Sequence, residues 1–327
     1  MRAVRCHELT GPMSLRVDDV PDPVVSAGHV VIDVAACGVN FPDTLITRGA
    51  YQFKPAPPFS PGGECAGTVR EVGAGVTGFE VGDRVAATML YGAFAERVAV
   101  PALGVVRLPE LVSFEIGAAT LLTYATTFHA LVDRAAIKPG ETLLVLGAAG
   151  GVGIAAVEVG VLLGARVIAA ASSADKLAFC RAHGAAETID YTREDLKERV
   201  KALTGGRGVD VVYDPVGGAL AEPALRSIGW QGRYLVVGFA SGDIPKIPLN
   251  LTLLKGCAIV GVFWGSFAMR EPAANHAHCA AIFRHVAAGK LVPSIDGVYS
   301  FDRAGEALAR LERREVKGKL ILVPRAP

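Results

Sequence analysis

Residues 147–153 read Gly-Ala-Ala-Gly-Gly-Val-Gly and follow directly on an uncharged apolar run at 143–146. Glycine at 150 lets a backbone approach a pyrophosphate. Gly153 lets a following helix pack closely on a sheet, and the N–H groups around Gly151 and Val152 face the negative charge. Against the G-x-G-x-x-G pattern the one departure is Ala148 in place of the first glycine. Glycine turns between a strand and a helix also occur without a ligand. It is the strand–turn–helix setting that makes this one a dinucleotide site.

The next strand ends Ala169-Ala170-Ala171 and continues Ser172-Ser173-Ala174-Asp175-Lys176. A site for NAD usually carries an acid at that strand end to hold the ribose 2′-OH. Small hydroxyls followed by a lysine suit a 2′-phosphate instead, so the cofactor expected is NADPH. Asp175, three residues after Ser172, reads as the second half of a helix cap rather than a ribose ligand. Lys176 reads as a phosphate partner or as a solvated helix residue.

These groups must be positioned by regular elements, and the texture of the chain supplies them. Up to about residue 117, β-branched runs at 29–36, 67–72, 84–88 and 94–100 are separated by Gly and Pro clusters, which indicates an irregular, mostly-β domain. Beyond it, strands at 142–146, 166–171, 187–190, 209–213 and 233–237 alternate with helices at 151–163, 174–183 and 195–204. That alternation is the mark of an α/β fold, a doubly wound parallel sheet of the Rossmann kind over 118–262. A final segment, 263–327, carries helices at 278–288 and 304–314 and a strand at 319–323, and is expected to return to the first domain.

Composition excludes several classes. The chain has 327 residues, 51% hydrophobic and 20% charged, with a formal net charge of +1, so no electrostatic case exists for nucleic acid or an anionic membrane as partner. The nearly uncharged stretch 143–171 is broken by its glycines and carries Glu158 and Arg166, which suits a buried strand–loop–helix–strand better than a membrane span. The N-terminal residues lack the apolar core of a signal peptide, and the six cysteines are scattered with no CxxC pair. Reduced thiols in the cytoplasm are the reading.

The stretch Ala36-Cys-Gly-Val-Asn40-Phe41-Pro42-Asp43, with Pro61-Gly-Gly63-Glu64-Cys-Ala-Gly67, resembles the medium-chain dehydrogenase/reductase superfamily with its GroES-like domain. In the zinc alcohol dehydrogenases of that superfamily the positions of Asn40 and Gly63 hold a zinc cysteine and a zinc histidine, and Pro42 stands at the hydroxyl of the proton relay. Asn and Gly cannot supply the N and S ligands zinc prefers, so no metal is expected. The further motifs GVNFPDTLITRGAY (38–51), VVYDPVGG (211–218) and VVGFASG (236–242) resemble the zinc-free quinone oxidoreductases, the zeta-crystallin-like branch, over nearly the whole chain.

That resemblance implies roles. Asn40 and Phe41 would lie beside the nicotinamide, Thr126 would meet its carboxamide edge, and Tyr51 would lie over the substrate pocket. Ser172, Ser173, Lys176 and Tyr191 would surround the adenosine phosphate, and Lys319 would reach the 2′-phosphate. Gly238, Phe239 and Ala240, with Val262, Phe263 and Trp264, would line the cofactor groove from the far side. Tyr51, Asn40 and Thr126 are the candidate catalytic residues. Tyr51 is read as the donor to a developing oxyanion, or as a packing residue. Asn40 also suits a simple turn, and Thr126 a helix start.

The expected activity is NADPH-dependent, zinc-independent hydride transfer to a quinone or similar conjugated carbonyl. An enoyl thioester (enoyl-CoA) reductase is the alternative, because such enzymes share the G-x-Y segment found here at Gly49-Ala50-Tyr51. A non-catalytic nucleotide-binding protein is the third reading. The apolar run 249–262 is expected to form a sheet edge through which two chains pair as a homodimer.

Overall fold

The computed structural model describes residues 1–325. They form two compact units: one of Met1–Leu122 together with the chain from Pro272 onward, the other of Thr123–Glu271.

The second unit is built on a six-stranded sheet with every neighbouring pair parallel. Across the sheet the strands run Glu187–Asp190, Arg166–Ala171, Thr142–Leu146, Val209–Asp214, Ile228–Val236, Ala258–Gly261. Numbered along the chain this is the order 3-2-1-4-5-6 of a dinucleotide-binding sheet, which reverses between Thr142–Leu146 and Val209–Asp214. Leu143, Leu144, Val145 and Leu146 are completely buried, as central strands covered on both faces must be. The triple alanine of Arg166–Ala171 is a poor strand former taken alone. It pairs Ala169 with Val145 and Ala170 with Leu146, and burial overrides propensity.

The run 249–262 is not one continuous strand. Asn250–Lys255 is a helix, stopped by Gly256 in the left-handed region at φ 55°, and only Ala258–Gly261 joins the sheet as its edge.

In the first unit a seven-stranded sheet runs Ile295–Ser300, Lys319–Val323, His29–Val39, Glu64–Val72, Arg84–Thr88, Val105–Arg107, with Arg97–Pro101 also paired to His29–Val39. Its core gathers Val30, Ile32, Val69, Val85, Phe94 and Val100 with Ala307 and Leu308 of the helix Ala304–Glu312. The last strand joins the two ends of the chain. Lys319–Val323 lies antiparallel to His29–Val39, with Leu320 opposite Val39, so residues far apart in sequence stand side by side.

The unit boundaries differ from the expected 117/118 and 262/263 for a local reason. A helix begins at Phe114–Thr120, capped by Ser113 on the Ile116 amide, and continues through wider π turns at Leu121–Ala125 and His129–Arg134 that flank Thr126–Phe128. Its first turns pack on the first unit. A Cβ on Gly117 would stand 3.2 Å from that of Ala66. At the other boundary, Phe267 of the helix Trp264–Arg270 stacks on His129 at 4.0 Å, which holds that helix in the second unit.

Candidate active site

In the second unit the glycine turn closes the strand Thr142–Leu146 and opens the helix Gly151–Leu162. Gly150 is the N-cap and no side chain caps this helix end. The amides of the first turn have no intrahelical acceptors by construction, so they are open donors for an anion. Gly153 is needed for close approach, since a Cβ there would lie 2.3 Å from the Gly147 carbonyl oxygen. Donors without a cap and a backbone with no side chain in the way fit a pyrophosphate.

Because all strands of this sheet are parallel, their carboxyl ends lie along one side, and the expected residues of this unit collect there. Ser172 and Ser173 follow Ala171, and Tyr191 follows Asp190, the residue paired with Ala171. Ser173 caps the helix Ala174–Ala182 by accepting from the Lys176 amide, and Lys176 Nζ donates to Ser172 Oγ at 3.4 Å. This corrects the reading of Asp175. The cap is Ser173, and Asp175 is an exposed residue of the first turn. No acid of the strand itself stands at its carboxyl end.

The far strands contribute as follows. Val237 and Gly238 donate their amides to the Asp214 carbonyl and Ala240 donates to that of Pro215, so 238–240 lies along the loop after Val209–Asp214. Phe239 is partly exposed. Val262 is bonded back to Val236, Phe263 is 65% exposed, and Trp264 opens the next helix. Thr126 is half-buried in the short α turn between the two π stretches.

Two residues here escaped sequence reasoning. Thr127 Oγ1 lies 2.9 Å from Tyr213 Oη and also donates to the Val152 carbonyl, tying the helix, the central strand and the glycine turn together. Asp214, 3% exposed, accepts from the amides of Val216 and Gly217 and from Tyr234 Oη. The VVYDPVGG motif contains Asp214, but only its fold shows that the carboxylate organises the loop at the strand-order reversal.

In the first unit the expected site residues resolve differently. Asn40 begins the helix Phe41–Ile46 and is 5% exposed. Its Nδ2 donates to Glu64 Oε1 at 2.8 Å and to the Gly38 carbonyl, and its Oδ1 accepts from Lys319 Nζ at 2.6 Å. The side chain expected to face the nicotinamide is therefore engaged inside this unit, and only the neighbouring Phe41, half-buried, is left partly open. Lys319 is corrected as well. Its ammonium is buried, 2.6 Å from Glu64 Oε1, and a paired interior cation is no clamp for a 2′-phosphate. The sequence offered Glu64 only as part of a motif. Its other oxygen accepts from the Leu122 amide, where the helix widens.

Asp43, also buried, accepts from the amides of Asn40 and Gly62. Burial pushes its carboxyl up to about 7, against those two amides and the Lys319 charge, which pull it down. Tyr51 packs on the Cys6, Ile46 and Phe59 cluster, half-buried, and its hydroxyl has no hydrogen-bond partner among the described residues. Burial, then the charge of Asp43, raise its phenol above the ordinary value, so it is a protonated donor at neutral pH. No group of three or more His, Cys, Asp or Glu side chains among the described residues is placed to hold a metal ion.

Known proteins share both units. The family described as alcohol dehydrogenase GroES-like domain matches residues 26–110, and that described as zinc-binding dehydrogenase matches 151–278. A quinone oxidoreductase-like protein 2 homolog of Nematostella vectensis is 38% identical over 324 residues, covering 98% of this chain and 88% of its own. Human quinone oxidoreductase is 32% identical over 326 residues, 99% of this chain and 98% of its own. The crystal structure of Escherichia coli quinone oxidoreductase complexed with NADPH superposes with a TM-score of 0.94 at 30% identity, over 99% of this chain and 100% of that one.

Proposed function

The chain belongs to the zinc-free quinone oxidoreductases of the medium-chain dehydrogenase/reductase superfamily, and we propose that it is an NADPH-dependent reductase of quinones or related conjugated carbonyls. The observation that carries the cofactor is the strand end at Ala171, where Ser172, Ser173 and Lys176 gather and no strand-end acid stands to repel a 2′-phosphate. When bound, the reduced nicotinamide supplies the hydride. The open amides of Gly151, Val152 and Gly153 hold the pyrophosphate, and the Thr127 and Asp214 bonds keep that turn and the neighbouring loop in place.

A conjugated acceptor suits this set of side chains. With Asn40 and Gly63 at the zinc positions the chain offers no ligand pair to a Lewis acid, and a quinone needs none, because the charge from hydride addition is delocalised as a hydroquinone anion. Tyr51, a protonated phenol with its hydroxyl unspent, is the donor available for the proton that completes reduction. The same free hydroxyl favours the second reading, an enoyl thioester reductase, in which a proton must be delivered to carbon.

The test is a screen of NADPH oxidation against quinones, enones and enoyl-CoA esters. Turnover confined to quinones supports the first reading, and turnover confined to enoyl-CoA esters supports the second. No turnover with any class rejects both.

We place the protein in the cytoplasm as a homodimer, with no nucleic acid or membrane partner. Its described cysteines are all unpaired, and among the described residues no helix is long and apolar enough to cross a membrane. In the segment that leads into the edge strand Ala258–Gly261, Leu249, Leu253 and Leu254 are 69–81% exposed, an apolar surface available for pairing of two chains. Light scattering at micromolar concentration checks it: a monomer would overturn the assignment.

A further inference from the structure

The side chains of Asn40, Glu64 and Lys319 form a closed polar cluster inside the first unit, each no more than 5% exposed. Chemistry fixes which way the Asn40 amide points. A lysine ammonium only donates, so the atom facing Lys319 Nζ must be the amide oxygen. An ionised carboxylate and a carbonyl only accept, so the atom facing Glu64 and Gly38 must be the amide nitrogen. Glu64 Oε1 receives both Asn40 Nδ2 and Lys319 Nζ, and Oε2 receives the Leu122 amide. Even the backbone is adapted to the cluster. A Cβ on Gly38 would stand 2.2 Å from the Ala118 carbonyl oxygen and 2.4 Å from Glu64 Oε1, so only glycine fits between that backbone and the carboxylate.

Oxygens from Asn40 and Glu64 thus make a cation site that the chain fills with its own lysine. The Asn40 backbone N–H is meanwhile held by Asp43 Oδ2 at 2.8 Å. Asn40 is the N-cap of Phe41–Ile46, so whatever fixes it also fixes the entry to that helix and the direction of Phe41.

We propose that Lys319 is a positioning residue for the hydride transfer, an internal cation that locks the Asn40–Phe41 corner through Asn40 Oδ1 and Glu64. Its catalytic relevance rests on the reductase reading; its structural action does not. Lys319 touches no reacting atom in this assignment. Its loss takes the ammonium away from Asn40 Oδ1 and the counter-charge away from Glu64, and loosens the corner that the Asp43 contacts still hold.

The experiment compares Lys319→Ala, Lys319→Arg and Glu64→Gln with the unmodified chain. Folded Lys319→Ala should lose about tenfold or more in kcat with the best acceptor of the screen, the scale expected when a supporting group lets a reactant drift. The KM for NADPH should change little. Propylammonium, which replaces the deleted chain and its charge, should restore part of that kcat, whereas 1-propanol should not.

A second readout is independent of turnover. The Asn40 side-chain amide resonances, assigned by their loss in Asn40→Asp, should shift in Lys319→Ala and return with propylammonium. If Lys319→Ala does not fold, Lys319→Arg and Glu64→Gln carry the comparison, with kcat lowered more than KM is raised. Unmoved Asn40 resonances, or a full kcat in a folded variant, would overturn the proposal. An unmodified chain inactive on every acceptor rejects the reductase reading, and the resonances still decide whether Lys319 holds Asn40.

Discussion

Tyr234 Oη donates to Asp214 Oδ2 at 2.5 Å, while the other oxygen of the same carboxylate takes the amides of Val216 and Gly217 at 2.8 Å each. Burial and the adjacent carboxylate push the Tyr234 phenol far above its ordinary value, which keeps it a donor at any pH the fold tolerates. One side chain thus closes the loop at the place where the strand order reverses.

Removing that acceptor should be costly. Asp214→Ala leaves a phenol and two amides unsatisfied, and should destabilise the protein by roughly 2–4 kcal/mol while weakening NADPH binding. Tyr234→Phe should cost about 1 kcal/mol. Urea unfolding of both variants and of the double variant measures the coupling. Additive effects would mean that the Tyr234 bond contributes nothing of its own.

Cofactor choice is read at the strand end. Fluorescence titration should show NADPH binding more tightly than NADH, and Lys176→Glu should weaken NADPH selectively. The loss expected for a charge-assisted phosphate contact is about 1.5–3 kcal/mol. Equal loss for both cofactors would place Lys176 outside the phosphate site.

Tyr51→Phe separates the two substrate readings. On a quinone the variant should lose about threefold or less in kcat, because water can protonate a delocalised hydroquinone anion. On an enoyl thioester the loss of a general acid should cost roughly 10²–10⁴-fold. Stopped-flow reduction of the best acceptor reads the difference.

Asp43 should make stability fall as pH rises. Its folded value, about 7, lies above the usual carboxylate value of about 3.9. The protonated form is therefore the better buried one. Its contribution is fully present below the unfolded value and is lost as pH rises through about 7. Asp43→Asn should flatten the pH dependence of the unfolding midpoint over that window while lowering the midpoint itself, since an amide serves only one of the two N–H donors. An unchanged slope in the variant would assign the effect to another group.

Local pattern determined much of this molecule by itself. The turn at Gly147–Gly153 and the parallel strands around it were legible because a buried strand must be apolar on both faces and a close backbone approach must be glycine. The absence of an acid after Ala171 was equally plain, since the residue next to a strand end is a matter of sequence alone. The replacement of zinc ligands by Asn40 and Gly63 needed no structure either.

Other features are products of the tertiary structure. Asn250–Lys255 became a helix within an apolar run whose residues would also suit a strand, and what decided it was the stop at Gly256 and the packing of Leu251. The widened turns at Leu121–Ala125 and His129–Arg134 leave no periodic trace. Above all, the environment of Lys319 depends on a residue 279 positions away. In sequence it is a basic residue near the end of the chain, suited to a phosphate. Only the antiparallel pairing of Leu320 with Val39 places its ammonium against Asn40 and Glu64, and a buried cation takes the partner the fold supplies.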